Sequence, residues 1–313
     1  MYFPILRGRQ FELLALQECL NYNLLCDKII PVIEPVKCSS TYVRTVDAFI
    51  NNKHPIAIIR NPQVGSWTKE SRSSGNQPIV VSAKAQLNEP NVISSLYVTP
   101  QIDQFLNTVA AENGISVGNM LLICNKQENI PSYLRAASDI KPRFCVIPDK
   151  RDFRRAIRDN RVLCEDHFPK RPRNVDYLEN ETEFFSSDHL FYSEDGYIGF
   201  SDYSIIGEEY NDAGFAPYAV AIHIVYFDEG NVLNIKHFVS DSNDDFSDPA
   251  RKFSEAVEKL VIWNQHMELK TAGIQAFEKE FFNRTYPGLG VVKKYSLMHH
   301  LELMSNFLDG ARR

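Results

Sequence analysis

The chain has 313 residues, of which 44% are hydrophobic, 24% charged and 12% aromatic, and its formal net charge is -6. This composition excludes disordered, collagen-like and coiled-coil proteins. No run of about 18 apolar residues occurs that would predict a membrane span, and the opening lacks the basic-then-apolar layout of a signal peptide. The six cysteines are scattered along the chain, as is typical of reduced thiols. We therefore expect a cytoplasmic protein with no membrane partner.

Charge is distributed unevenly along the chain. Residues 1–173 hold 23 Lys and Arg against 16 Asp and Glu, whereas residues 174–235 hold 13 acidic residues and no Lys or Arg. The basic residues are densest over 150–173, which suits either a surface for phosphate or nucleic acid or a solvated helix face neutralised by the acidic stretch. We favour the neutralised face, because an acidic protein repels a polyanion at long range.

Eight short apolar runs predict β-strands. They are rich in Val and Ile and are apolar at consecutive positions, as in strands buried on both faces of a parallel sheet. The runs are 2–6, 29–33, 56–59, 92–98, 120–124, 144–147, 162–164 and 197–205.

Helix-like segments alternate with these strands, and the first carries a leucine stripe at helical spacing. The segments are 11–25, 41–51, 101–112, 131–138 and 151–158. Asp248 followed by Pro249 predicts the N-cap of a further helix. The alternation predicts an α/β fold, a (β/α)8 TIM-like barrel that spans residues 1–313 as a single domain, with an open doubly wound sheet as the alternative.

Two segments depart from the simple alternation. Residues 61–91 contain a polar loop and a short apolar run, 79–82, and do not supply a clear third helix. Residues 218–226 and 232–239 are β-rich runs joined by the turn-forming sequence Asp228-Glu229-Gly230-Asn231, which predicts an antiparallel hairpin. We assign residues 214–242 as a hairpin insertion after the eighth strand.

The register of this hairpin stays open at the level of sequence. A two-residue turn pairs His223 with Lys236, whereas a three-residue loop pairs His223 with His237. A metal site on the hairpin would need the second register and further ligands, so we do not assign one.

Polar residues follow most of the apolar runs, and in a parallel barrel such positions share one rim. Strands commonly end in polar residues, so one such residue alone indicates only a structural role. The convergence of several of them on one rim is what predicts a ligand site. The predicted catalytic residues are Glu34, Asp149, Asp166, His167 and Asp202, and the predicted ligand-binding residues are Arg7, Arg60, Asn125 and Lys126.

These residue types suit metal-dependent hydrolysis of a phosphate ester. Glu34, Asp149 and Asp202 would hold a divalent cation such as Mg²⁺, and His167 would act as general acid or base. The basic side chains would bind a phosphorylated small molecule or nucleotide. The same residues could instead form an Arg–carboxylate network that closes the barrel end without turnover.

The opening residues carry a family resemblance. Met1-Tyr2-Phe3-Pro4-Ile5-Leu6-Arg7-Gly8-Arg9-Gln10-Phe11-Glu12 resembles the start of the bacterial "Beta protein" family, where this motif leads into a helix and then an I-x-P-x-I-E strand, matched here by Ile30-Pro31-Val32-Ile33-Glu34-Pro35. Segments 199–203, 237–241 and 287–290 are similar to one branch of the family. Members occur in bacterial neighbourhoods associated with defence against phage, so the resemblance implies a conflict-related role and carries over no catalytic residue.

Three functions follow from these patterns. The first is a defence-associated barrel that binds a phosphorylated or nucleotide ligand at its rim, with or without hydrolysing it. The second is a non-catalytic scaffold or immunity-type partner of a neighbouring gene's product, with the hairpin as docking edge. The third is a nucleic-acid binder that uses segment 150–173. The first function requires Glu34, Arg60, Asp149 and Asp202 to face a shared mouth, and otherwise the scaffold function remains.

Overall fold

The computed structural model describes residues 1–212 and 217–310. Their contacts divide the chain into two compact units. The first, called the barrel unit, comprises Met1–Leu13, Asp27–Asp166 and Asp188–Tyr203. The second unit comprises Leu14–Cys26, His167–Ser187 and the described residues from Ser204 onward. The sequence predicts one domain over residues 1–313, whereas the contacts group the described residues into these two units.

The described residues form the following strands, in chain order: β1 (Ile5–Leu6), β2 (Val32–Ile33), β3 (Ile56–Ile59), β4 (Val92–Tyr97), β5 (Leu121–Ile123), β6 (Phe144–Ile147), β7 (Arg161–Cys164), β8 (Thr182–Ser186), β9 (Gly199–Ser201), β10 (Ala221–Phe227) and β11 (Leu233–Val239). The helices are α1 (Gln10–Asn21), α2 (Ser40–Asn51), α3 (Trp67–Glu70), α4 (Gln77–Gln86), α5 (Ile102–Asn113), α6 (Ile130–Ala136), α7 (Arg151–Ala156), α8 (Asp188–Phe191), α9 (Pro249–Met267), α10 (Ala272–Asn283) and α11 (Leu289–Asp309). Within this described part of the chain, no helix combines the length and apolar character that a membrane crossing requires.

The barrel unit is an eight-stranded, all-parallel, nearly closed barrel, which confirms the predicted (β/α)8 TIM-like fold. Its strands follow the order β1-β2-β3-β4-β5-β6-β7-β9. The last strand meets the first, because the Phe3 amide donates to the Phe200 carbonyl at 2.8 Å and the Ile5 amide donates to the Asp202 carbonyl at 2.8 Å. Apolar side chains that include Phe3, Ile5 and Ile59 fill the interior.

Residues 61–91 contain two helices, α3 and α4, where the sequence indicates no clear helix. The apolar run at 79–82 lies inside α4, whose first turn contains Pro78, a position that proline favours. Only Ala83 and Gln86 of α4 are buried, and Val81 is exposed. The helix therefore lacks a long apolar stripe, and its periodicity is weak in the sequence.

The second unit contains a three-stranded antiparallel sheet in the order β10-β11-β8. The predicted hairpin is β10 and β11, which follow the eighth barrel strand, and His223 pairs directly with His237. Strand β8 was not predicted and pairs with β11. The α9 helix begins at the predicted N-cap, where the Asp248 side chain accepts from the Arg251 amide. Residues 214–216 of the predicted insertion lie outside the described residues.

One face of the hairpin forms the core of the second unit. Ile222, Ile224 and Phe238 pack with apolar side chains of α9, α10 and α11, which include Leu260 and Phe277. The hairpin is therefore one layer of a sheet-and-helix core rather than a free arm.

Candidate functional site

A buried ion pair lies at the carboxyl end of the barrel strands. The Arg7 guanidinium donates to Glu34 Oε2 through Nη1, and the same nitrogen lies 3.3 Å from the Tyr97 hydroxyl. The Tyr97 hydroxyl donates to Glu34 Oε2 at 3.0 Å. Arg7 is 7% exposed and Glu34 is fully buried. The guanidinium carbon lies 5.0 Å from the centroid of the Tyr203 ring, within range of a cation–π interaction.

Glu34 also accepts from the loop that follows β3. Its Oε1 accepts from the amides of Gln63 at 2.6 Å and Val64 at 3.2 Å. The carboxylate thus receives four hydrogen bonds, which matches the number of lone-pair sites that it offers. Glu34 would have to give up some of these contacts to bind a metal ion or to accept a proton from a substrate.

Local sequence places the two charges against each other. Gly8 follows Arg7 with a φ of +59°, a conformation that favours glycine, and a Cβ at this position would lie 2.9 Å from the Glu34 carbonyl oxygen. Asn61 fixes Tyr97 from the neighbouring strand, because its amide donates to the Tyr97 carbonyl at 2.9 Å and accepts from the Tyr97 amide at 2.8 Å.

The electrostatics of this network favour a charged Arg7 beside a neutral Tyr97. Burial lowers the pKa of Arg7, but Tyr97 and Glu34 raise it by more, so that it lies above its ordinary value. Burial and the Glu34 carboxylate raise the pKa of the Tyr97 hydroxyl well above its ordinary value. The phenol therefore remains a donor at any physiological pH.

Asp202 does not face the barrel interior. Its Oδ1 accepts from the Tyr2 hydroxyl at 2.7 Å, and Tyr2 stacks on Phe200 with ring centroids 5.0 Å apart. Side chains alternate along a strand, and Tyr203, the next residue, belongs to the interior cluster. Asp202 consequently lies on the outer side of the barrel wall.

Arg60 and Asp149 also have partners of their own. Arg60 donates to the Asn113 side chain at 2.6 Å and to Glu112 at 3.0 Å, both on α5. Asp149 accepts from the Tyr197 hydroxyl at 2.7 Å and from Arg154 at 3.0 Å. Both residues are thus engaged away from the Arg7–Glu34 pair.

The remaining predicted site residues are scattered. Asn125 is half-buried and Lys126 is exposed after β5, and Asp166 is exposed after β7. His167 belongs to the second unit, where its Nε2 lies 3.2 Å from the Ser186 hydroxyl.

Arg7 and Glu34, both of them predicted site residues, contact each other. Glu34, Asp149 and Asp202 do not fit the expected Mg²⁺, because each carboxylate contacts different residues. No group of three or more His, Cys, Asp or Glu in residues 1–212 and 217–310 has the arrangement to hold a metal ion. Sequence reasoning missed Tyr97 and Tyr203, because their inward direction becomes apparent only once the barrel interior is known.

Four of the nine basic residues in segment 150–173 form the following ion pairs with acidic groups. In the barrel unit, Arg154 pairs with Asp149. In the second unit, three basic residues pair with acids of the 174–235 stretch: Lys170 with Glu209, Arg171 with Glu183, and Arg173 with Asp176. These ion pairs agree with the interpretation of a neutralised face and weaken the nucleic-acid alternative.

The hairpin register brings two histidines together in the second unit. A three-residue loop, 229–231, separates Asp228 from Val232, and the Asp228 amide donates to the Val232 carbonyl at 3.0 Å. His223 Nδ1 lies 2.7 Å from His237 Nδ1, so one imidazole donates and the other accepts. Burial lowers the pKa of His223 well below its ordinary value and lowers that of His237 to about 4. Both rings are therefore neutral at neutral pH.

Comparison of the chain with models of known protein families, with curated proteins and with solved structures found no match. The resemblance of the opening motif to the "Beta protein" family accordingly stays a prediction.

Proposed function

We propose that this chain is a non-catalytic interaction protein, acting with the product of a neighbouring gene in a bacterial conflict system. The observation that carries the proposal is the separation of Glu34, Arg60, Asp149 and Asp202, each of which is engaged by its own partners. A phosphoester hydrolase with Mg²⁺ would need several of these groups around one ligand.

The Arg7–Glu34 pair supports a structural role for the barrel end. Two desolvated charges give little net stability, but they favour one arrangement of the groups around them when every donor and acceptor is paired. Here the pair joins β1 and β2 to Tyr97 on β4 and to the loop at Gln63 and Val64. The pair supports the alternative in which an Arg–carboxylate network closes the barrel end without turnover.

The docking surface that we propose is strand β8 rather than the hairpin. The β11 strand is covered on its outer side by β8, and the Val225 carbonyl of β10 accepts from His299 Nε2 at 2.6 Å. In the described part of the chain, β8 pairs on one side only, and its Phe184 side chain is 61% exposed. An outer strand with an exposed aromatic side chain suits the addition of a partner strand.

The side chains around β8 indicate the chemistry of the partner. Glu181 and Glu183 already have basic partners, because Glu181 lies 3.6 Å from Lys236 and Glu183 pairs with Arg171. The exposed Phe184 ring is therefore the feature of this edge that a partner strand would recognise. We expect a partner segment with an apolar residue opposite Phe184.

The test is co-purification of the full chain with the products of its adjacent genes. We expect a stable complex that Phe184→Asp abolishes and that Phe282→Asp, a matched change at another exposed aromatic residue, leaves intact. Backbone amides of β8 should gain protection from hydrogen exchange in the complex. The proposal is overturned if no adjacent product binds, if Phe184→Asp has no effect, or if the chain shows Mg²⁺-dependent phosphoesterase activity that Asp149→Asn removes.

A further inference from the structure

A cavity of about 890 Å³ lies in the second unit, in a region that the proposed function does not use. It is bordered by the hairpin turn, by the segment between α9 and α10, and by the last turns of α11. Small-molecule sites in proteins typically measure about 300–1,000 Å³, so the cavity has room for one compact ligand.

The floor of the cavity is apolar and partly aromatic. Phe227 on β10 and Phe307 on α11 pack with ring centroids 5.1 Å apart, and Met267, Leu269 and Leu303 complete the apolar part of the lining. Aromatic faces can hold the apolar body of a ligand, and they also attract a cation placed over the ring.

The charged groups around this floor are mainly acidic. Glu229, Glu268 and Glu302 line the cavity together with one cation, Lys270. The α9 and α11 helices both end here, at Glu268 and Gly310, and a helix C-terminus carries partial negative charge. Thr271 also lines the cavity and is the N-cap of α10, whose N-terminus carries partial positive charge. Three carboxylates and two helix C-termini against one ammonium and one helix N-terminus leave the field in the cavity negative.

Glu302 adds a carboxylate that is poorly hydrated. Its Oε2 accepts from the Ala272 amide at 2.6 Å, which holds the side chain at the start of α10. Burial raises the pKa of Glu302 because desolvation disfavours its charged form. A cation beside this carboxylate would stabilise the ionised form in place of the missing water.

We infer that the cavity binds a small organic cation, an ammonium or guanidinium group carried on an aromatic or apolar body. The cation would face Glu229, Glu268 and Glu302, and the body would pack on Phe227 and Phe307. An anion of the same shape would meet three carboxylates, so the charge of the ligand decides binding more than its apolar surface does.

The experiment is calorimetric titration of the full chain with three probes of similar size: phenethylammonium, phenethyl alcohol and phenylacetate. We expect the ammonium to bind at least tenfold more tightly than the alcohol, and the carboxylate to bind most weakly. Added salt should weaken the binding of the ammonium and leave that of the alcohol unchanged.

Variants separate this site from a generally acidic surface. Glu229→Gln with Glu268→Gln should weaken the binding of phenethylammonium about tenfold, and Lys270→Ala should strengthen it. The control is Glu258→Gln, an exposed residue of α9 that does not line the cavity and should not change binding. Equal binding of the three probes, no binding of the ammonium, or an equal effect of the control would overturn the inference. None of these outcomes depends on whether a partner strand binds β8.

Discussion

Arg7 and Glu34 form an ion pair that is almost entirely withdrawn from solvent at the carboxyl end of the first two barrel strands. Removal of one partner leaves the other charge buried without compensation, which typically costs about 3–5 kcal/mol. We therefore expect Glu34→Gln to lower the free energy of unfolding of the barrel unit by about that amount. The double variant Arg7→Met with Glu34→Gln should recover most of the loss, as measured by urea unfolding.

The control for this pair is Arg154→Met, which removes the half-exposed partner of Asp149. Exposed ion pairs contribute about 0–1 kcal/mol, so this change should have a small effect. If the double variant is as unstable as Glu34→Gln alone, the stability of the barrel end depends on the hydrogen bonds of Glu34 to the loop and not on charge balance.

His299 gives the second unit a pH-dependent stability. Its Nε2 donates to the Val225 carbonyl at 2.6 Å, and its Nδ1 accepts from the Thr271 hydroxyl at 2.7 Å. Burial lowers the pKa of His299 to about 4, although the hydrogen bond to Val225 opposes this shift. In the unfolded chain the imidazole titrates near its ordinary value of about 6.5.

The sign of the pH effect follows from these two values. Between about pH 6.5 and pH 4 the unfolded chain binds the proton and the folded chain does not, so stability falls as pH falls through this window. The loss from His299 alone is on the order of 3 kcal/mol at the lower limit. The free energy of unfolding, measured with urea at several pH values, should depend less steeply on pH in His299→Gln than in the wild type. Equal slopes in the wild type and His299→Gln would contradict this assignment.

Gly273 sets the close approach of α10 and α11. A Cβ at this position would lie 2.2 Å from the Tyr295 carbonyl oxygen and 2.7 Å from the His299 amide nitrogen, both on the backbone of α11. Backbone atoms cannot turn aside as a side-chain tip can, so Gly273→Ala should destabilise the second unit by about 3 kcal/mol or more. The control is Gly75→Ala, where the nearest atom lies 4.0 Å away. A thermal melt of Gly273→Ala that matches the wild type would show that the two helices can separate at little cost.

Thiol reactivity should divide the six cysteines into two groups. Cys19, Cys124 and Cys145 are buried, and desolvation raises the pKa of each thiol. Because the thiolate is the reactive form, these three should resist alkylation in the folded protein. Burial and the neighbouring Glu70 also raise the pKa of the partly exposed Cys38, so Cys26 and Cys164 should react first, as peptide mass spectrometry after a short pulse of iodoacetamide can show. Rapid labelling of Cys19 would contradict the packing around α1.

Several features were accessible from the sequence because they depend on neighbouring residues. Consecutive Val and Ile residues indicated the eight barrel strands, and Asp248 before Pro249 indicated the start of α9. The sequence did not predict α4, because this helix buries too few side chains to show an apolar stripe. It did not predict β8, because only the pairing with β11 defines that strand.

The direction of each side chain at the strand ends required the tertiary structure. Strands buried on both faces are apolar at every position, so the sequence does not show which alternate residues face the barrel interior. Arg7 and Glu34 face inward and meet, whereas Asp202 contacts Tyr2 and Arg60 contacts α5. The sequence by itself determined that polar residues gather at one end of a parallel barrel. Which alternate side chains face the interior is decided only when the strands close into a barrel. This choice separated those residues into one buried pair and several independent contacts.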